Sequence, residues 1–251
     1  MADVSLVVGL IAVYVVLVLL FHQKKYPSPL VSSGNLKREC GEAVIIFGVY
    51  IVIYWSQNLI RNLLKVSYLS DFAWTIGVFI LLGASLCLLV FVEKIVRRRN
   101  LSAVVFKFPI NRKFLLVFTG LIVAYSVWGI SLLVSHGIQS QYFYFYLASG
   151  CIIGPLAEEI VFRGLIQARF EDALGTVKSW LLSGVLFAVY HYVAWFLIEG
   201  KTVTLFSTFS LTSLIFVLLF GMLAGVLFAK TRSLLPPFLL HAVHNFVAFF
   251  L

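Results

Sequence analysis

Two adjacent glutamates, Glu158 and Glu159, close an aromatic-rich apolar run in the stretch GPLAEEIVFRGL, residues 154–165. A carboxylate in such a setting is costly unless it is paired or put to use. The other charged, imidazole or amide groups that bear on it are few: Arg163, His191, His241, His244 and Asn245. On a helix, Glu159 and Arg163 stand four apart, share a face and can pair. Glu158 is rotated about 100° from Glu159, has Phe162 as its own i+4 neighbour, and is left to face another element. His241 and Asn245 again stand four apart on one face. A glutamate beside a histidine can hold and deprotonate a water. A second histidine and an asparagine can donate hydrogen bonds to a developing oxyanion. Together that is equipment for hydrolysing a peptide bond. Glu158, His191 and His241 are equally a possible zinc ligand set, so metal-assisted hydrolysis stays open at this point.

Other proteolytic chemistries lack their residues. There is no His-Glu-x-x-His for a zincin, no Gly-x-Ser-Gly for a serine nucleophile, and every aspartate (Asp3, Asp71, Asp172) falls outside the apolar segments. Each polar residue also has a bland reading on its own. Glu159 with Arg163 could be a structural ion pair, a lone intramembrane histidine could be a packed one, and His244, off the His241/Asn245 face, reads as packing. Their joint occurrence in one membrane half carries the functional reading.

The elements that must position these residues are membrane helices. Of 251 residues 62% are hydrophobic and 12% charged, and the mean hydropathy is +1.05. That composition is polytopic membrane protein, all-α, and not a soluble domain. Apolar segments near the ~20 residues needed to span a bilayer fall at roughly 4–21, 43–60, 72–92, 114–135, 142–157, 180–198, 210–229 and 235–251, which predicts about eight spanning helices. The fifth is short, but its helical pattern continues through the glutamates to about Phe170. The first lacks a basic leader and a small-residue cleavage site, so it reads as a span rather than a signal peptide. Cys40, Cys87 and Cys151 form no framework.

The net charge of +9 does not indicate nucleic acid, because the basic residues cluster in the connections. The odd-numbered connections hold 16 Lys and Arg and the even-numbered ones 3. The positive-inside rule then places both termini outside and the odd connections in the cytoplasm. At ~1.5 Å per residue, His191 lies about 16 Å, His241 about 9 Å, Asn245 about 15 Å and Glu158 about 6 Å from the cytoplasmic boundary. All can meet in the cytoplasmic half. Gly154-Pro155 makes a kink just before the glutamates. Trp55, Trp74, Trp180, Trp195 and the 142–146 tyrosines read as interfacial belts, and Gly221 with Gly225 as a close helix contact.

Glu158-Glu159-x-x-x-Arg163, Phe187-x-x-x-His191 and His241-x-x-x-Asn245, in that order on three helices, resemble the three core motifs of the type II CAAX prenyl endopeptidase and bacteriocin-processing (CPBP, Abi) family. The resemblance covers about 100 residues, 154–251, without departure at those positions. Residues 1–141 carry no motif, so the chain reads as a single membrane domain (1–251) with its catalytic core at 142–251. The resemblance implies an eight-helix intramembrane protease with a cytosol-facing chamber. It implies that Glu158 and His191 activate water, His241 and Asn245 stabilise the oxyanion, Glu159 and Arg163 orient the site, and Phe187 packs beside it. Members have been described both as metalloproteases and as glutamate proteases. The glutamate type is favoured here, because Arg163 already satisfies one carboxylate and leaves a thin ligand set. The implied substrate is a membrane-associated peptide or a lipidated protein tail, and short loops suggest a prokaryotic inner membrane. A proton-coupled transporter and a non-catalytic scaffold or immunity protein are the competing classes. Against a transporter, the two halves show no matching interrupted helices.

Overall fold

In hydrocarbon every peptide N–H and C=O must be paired within the chain, and a helix does this segment by segment. The computed structural model describes residues 35–64, 70–91, 112–137, 147–198 and 208–248, and seven helices lie among them. They are α1 (Leu36–Leu64), α2 (Ser70–Val90), α3 (Arg112–His136), α4 (residues 147–174), α5 (Thr176–Ile198), α6 (Thr208–Thr231) and α7 (Leu235–Ala248). The chain is all-helical there. The segments predicted from 43 to 251 each correspond to one helix, and the segment at 4–21 lies outside the described residues. Three helices, over Leu36–Ser56, Leu115–Ser135 and Ser213–Thr231, are long and apolar enough to cross a membrane.

Helix ends follow local chemistry. Asn35 caps α1, its Oδ1 accepting from the Arg38 N–H at 3.1 Å, which satisfies one of the orphan donors of a first turn. Gly137 closes α3 at φ +70°, its N–H donating to Leu133 O at 2.8 Å, the left-handed stop that glycine adopts without penalty. Ser233 caps α7, with Pro236 and Pro237 in the first turn, where no N–H is needed.

The helix with the most charged residues is the one at the centre. Along α4, Ile160 to Phe170 is buried throughout, with α1, α2, α5, α6 and α7 packed around it. The surrounding helices turn apolar side chains outward instead: Val44, Ile45 and Val52 on α1, Phe79 and Ile80 on α2, Leu116, Val123 and Val134 on α3. That is the inverse of a soluble bundle and fits a lipid surround. Association there cannot rest on the hydrophobic effect and needs close backbone approach. α5 and α6 supply it. A Cβ at Gly184 would come within 2.9 Å of the Met222 backbone nitrogen, and one at Gly221 within 3.1 Å of Gly184 Cα. The predicted contact through Gly221 and Gly225 is therefore present, with Gly184 as its unforeseen counterpart.

The structure corrects one detail. Arg163, Arg169 and Arg232, three of the 16 basic residues assigned to the odd-numbered connections, are buried inside the bundle. They pair with carboxylates there, so they are structural charges rather than topology signals.

Candidate active site

α4 is not wound uniformly. Leu147–Ile153 and Ile160–Gln167 take a wider π-type turn around an α-helical step at Gly154–Glu159. Such turns concentrate at functional sites because they re-aim side chains and carbonyls. Here two carbonyls in the widened turns accept side chains from other helices. Asn245 Nδ2 donates to Gly150 O at 2.8 Å and Ser183 Oγ to Phe162 O at 3.0 Å. Gln167 Nε2 donates to Gly225 O at 2.8 Å. α4 is thereby pinned to α7, α5 and α6 on different sides.

Glu159 and Arg163 pair as the i,i+4 spacing requires. Arg163 Nε lies 3.0 Å from Glu159 Oε2, and both side chains are 0% exposed. The other carboxylate oxygen, Oε1, accepts from His241 Nδ1 at 2.9 Å. A carboxylate can only accept, so Nδ1 carries the proton, and His241 presents Nε2 to the far side. The second glutamate thus orients a ring as well as neutralising a cation.

Glu158 points the other way. Its Oε2 lies 3.7 Å from His191 Nε2 and 3.7 Å from His241 Nε2. Its Oε1 accepts from the Tyr190 hydroxyl at 3.3 Å. His191 Nδ1 sits 3.0 Å from Phe187 O. A carbonyl only accepts, so this nitrogen also carries the proton, and Nε2 is the basic atom turned to Glu158. Both imidazoles therefore converge on one oxygen of one carboxylate. At 3.7 Å they are beyond direct hydrogen-bond range, close enough for a small molecule beside them to touch all three. Access is graded: the side chains of His191 and Glu158 are 20% and 14% exposed, and that of His241 is 4%.

Phe187 separates these groups. Its ring lies 4.4 Å from the His191 ring and 5.7 Å from the His241 ring, with the Arg163 guanidinium 4.8 Å from its centroid. A cation over an aromatic face is attracted by the ring quadrupole, so Phe187 holds Arg163 and both imidazoles in fixed relation. His244 packs against Phe216 and Phe220, at 4.9 and 5.1 Å, and its Nδ1 is 3.1 Å from the Tyr125 hydroxyl on α3. It makes none of the contacts of the Glu158 cluster. Asn245 shares the α7 face of His241, but its hydrogen bond goes to Gly150, not to another motif residue.

Glu158, His191 and His241 are donors of the types zinc prefers. Among the described residues, however, no group of three or more His, Cys, Asp or Glu side chains is arranged to hold a metal ion. Glu159 is fully engaged by Arg163 and His241.

Residues 140–247 match the sequence model of a family described as type II CAAX prenyl endopeptidase Rce1-like. The matched stretch is similar to that family over fewer than half of the 251 residues. It contains all seven motif residues, and the resemblance read from the motifs stands. That family is one of CAAX-type proteases, and the three helices long and apolar enough to cross a membrane suit a chain similar to it. No curated protein and no solved structure matches the chain.

Two parts of the matched region escaped the sequence. Tyr190 reads as one more aromatic in an apolar run, and nothing in its spacing marks it as a donor to Glu158. Its position next to His191 was the available signal. The buried pair Glu171–Arg232 joins residues 61 apart, which no helical periodicity can link.

Proposed function

We propose that this protein is a metal-independent intramembrane endopeptidase that hydrolyses a peptide bond in a membrane-associated peptide or lipidated protein tail. The observation that carries the reading is the convergence of His191 Nε2 and His241 Nε2 on Glu158 Oε2, each at 3.7 Å. A water beside Glu158 and His191 would lose its proton to them as its oxygen attacks the scissile carbonyl. The proton then passes to the departing amine. The carbonyl oxygen, negative in the tetrahedral intermediate, would take hydrogen bonds from His241 and Asn245. His241 can donate from Nε2 only as imidazolium, with Glu159 as its counter-charge at Nδ1. Asn245 spends one N–H on Gly150 O, and its amide has a second to offer. Glu159, Arg163 and Phe187 orient the set.

The same reading places the catalytic core at 142–251 in a single domain of about eight spans, both termini outside, and the chamber open to the cytosol of a prokaryotic inner membrane. The charge asymmetry of the connections, 13 to 3 once the three buried arginines are set aside, supports it.

The test compares wild type with Glu158→Gln in proteoliposomes, given prenylated CAAX-type and leader-type peptides, with and without a chelator, products read by mass spectrometry. Cleavage by wild type, untouched by chelator and absent in the variant, is the expected result. Cleavage retained by Glu158→Gln overturns the assignment, and loss on chelation moves the chemistry to a metal.

A further inference from the structure

Glu171, in the last turn of α4, is buried and holds three elements at once. Its Oε1 accepts from the Thr176 hydroxyl, on the first residue of α5, at 2.5 Å, and from Arg232 Nη2 at 2.8 Å. Its Oε2 accepts from Arg232 Nη1. Arg232 sits in the turn from α6 to α7. The helices that carry the motif residues, α4, α5 and α7, are therefore tied together by one carboxylate that belongs to no motif.

The geometry of the arms gives this node a purpose. From Glu171 back to Glu158 is 13 residues, and from Thr176 on to His191 is 15. At ~1.5 Å per residue, a little less where α4 widens at Ile160–Gln167, arms of about 20 Å leave the node side by side. A fixed origin then brings Glu158 and His191 to the same level. The third arm starts at a turn that is itself fixed: Ser233, fully buried, accepts the Leu235 N–H at 3.2 Å.

The backbone at Arg232 argues that the side chain is wanted there. Its φ is +54°, and it is the one non-glycine residue with positive φ among the described residues. Its N–H donates to Phe228 O at 2.8 Å, closing α6 where glycine is the usual residue. A residue serving only as a helix stop would be better as glycine. What glycine cannot supply is a guanidinium that reaches Glu171 with two nitrogens, the bidentate geometry specific to arginine.

We propose that the Thr176–Glu171–Arg232 node is a positioning device that sets the register of the three motif helices, and so the meeting of Glu158, His191 and His241. The proposal rests on the protease reading of that cluster, and its test separates the two. Arg232→Gly alone strands a buried carboxylate, so the informative variant is Glu171→Gln with Arg232→Gly, which removes the clamp, the charge and the left-handed penalty together. Thr176→Val, which removes a single hydroxyl, serves if that double variant does not fold.

Two readouts apply to each: kcat and KM on a cleaved peptide, and the histidine side-chain resonances of 15N-labelled protein. The expected result is a folded double variant with KM unchanged, kcat reduced by roughly 10²-fold, as a displacement near 1 Å can cause, and shifted His241 signals. Thr176→Val shifts the His191 signals. Wild-type kcat with unmoved histidine signals overturns the node. Should wild type cleave nothing, or Glu158→Gln stay active, the protease reading fails while the histidine spectra still decide the node.

Discussion

Replacing Arg163 with methionine removes the cation from the most deeply buried charge pair of the site. Both partners are 0% exposed and 3.0 Å apart. No solvent screens the carboxylate that remains, and His241 Nδ1 is left as its one close donor. Losing one partner of such a pair costs about 3–5 kcal/mol, far more than the net worth of the pair, because the other charge stays buried. The guanidinium over Phe187, at 4.8 Å, contributes on the order of 1 kcal/mol more. At roughly 2–4 °C per kcal/mol for a chain of this size, the thermal midpoint falls by about 8–24 °C. Glu159→Gln combined with Arg163→Met leaves no charge to strand and keeps an amide oxygen for His241 Nδ1. That double variant is expected to regain most of the lost midpoint, with a coupling of about 3 kcal/mol or more between the two changes. The assay is thermal unfolding of all four proteins in one detergent, followed by tryptophan fluorescence. Additive effects, or a single variant within about 2 °C of wild type by the same conversion, would show that Arg163 does not neutralise Glu159 and would sink the assignment of both as the orienting pair.

Tyr190→Phe deletes the hydroxyl that donates to Glu158 Oε1 at 3.3 Å; a long hydrogen bond to a charged group sits near 1.5 kcal/mol, so kcat should drop about tenfold with KM held, and an unchanged rate would remove Tyr190 from the site. Gly184→Ala drives a Cβ to within 2.9 Å of the Met222 backbone nitrogen, and unfolding should show about 1–3 kcal/mol of destabilisation from overpacking. His244→Phe keeps the packing on Phe216 and Phe220 and loses the Tyr125 hydrogen bond. Peptide cleavage should stay within about threefold of wild type, given ~0.5–1.5 kcal/mol for one neutral hydrogen bond, and abolished cleavage would place His244 in the chemistry.

What the sequence made legible was local. The Glu159–Arg163 pair and the shared face of His241 and Asn245 follow from residues four apart on one helix. The first survives the π-type turn of α4, because four residues still come nearly full circle when the winding widens; the second lies on α7, which is α-helical. The positions of seven helices followed from lengths of apolar sequence. What stayed hidden was tertiary. Gly150 as the partner of Asn245, Tyr190 as a donor to Glu158, and Glu171 with Arg232 are contacts between helices, where separation along the chain carries no geometric signal. The buried arginines were misplaced for a related reason: a charge next to an apolar run looks like a loop residue until the helix is seen to continue through it.

The charges of α4 also bear on how the protein is made. Glu158, Glu159, Arg163, Arg169, Glu171 and Asp172 lie on one helix, and in lipid each lone charge is disfavoured by about 2.5–3.5 kcal/mol on insertion scales. Arg163 pairs within the helix, and Glu42 on α1, 3.6 Å from Arg169, precedes it. Two other partners come later. Arg232 follows Glu171 by 61 residues and His241 follows Glu159 by 82. At ~5–20 residues per second of synthesis, Glu171 waits roughly 3–12 s for its cation. Until α6 and α7 arrive, the central helix is a poor guest in the bilayer, and a chain that stalls before them presents its carboxylates, uncompensated, to the machinery that clears failed membrane proteins.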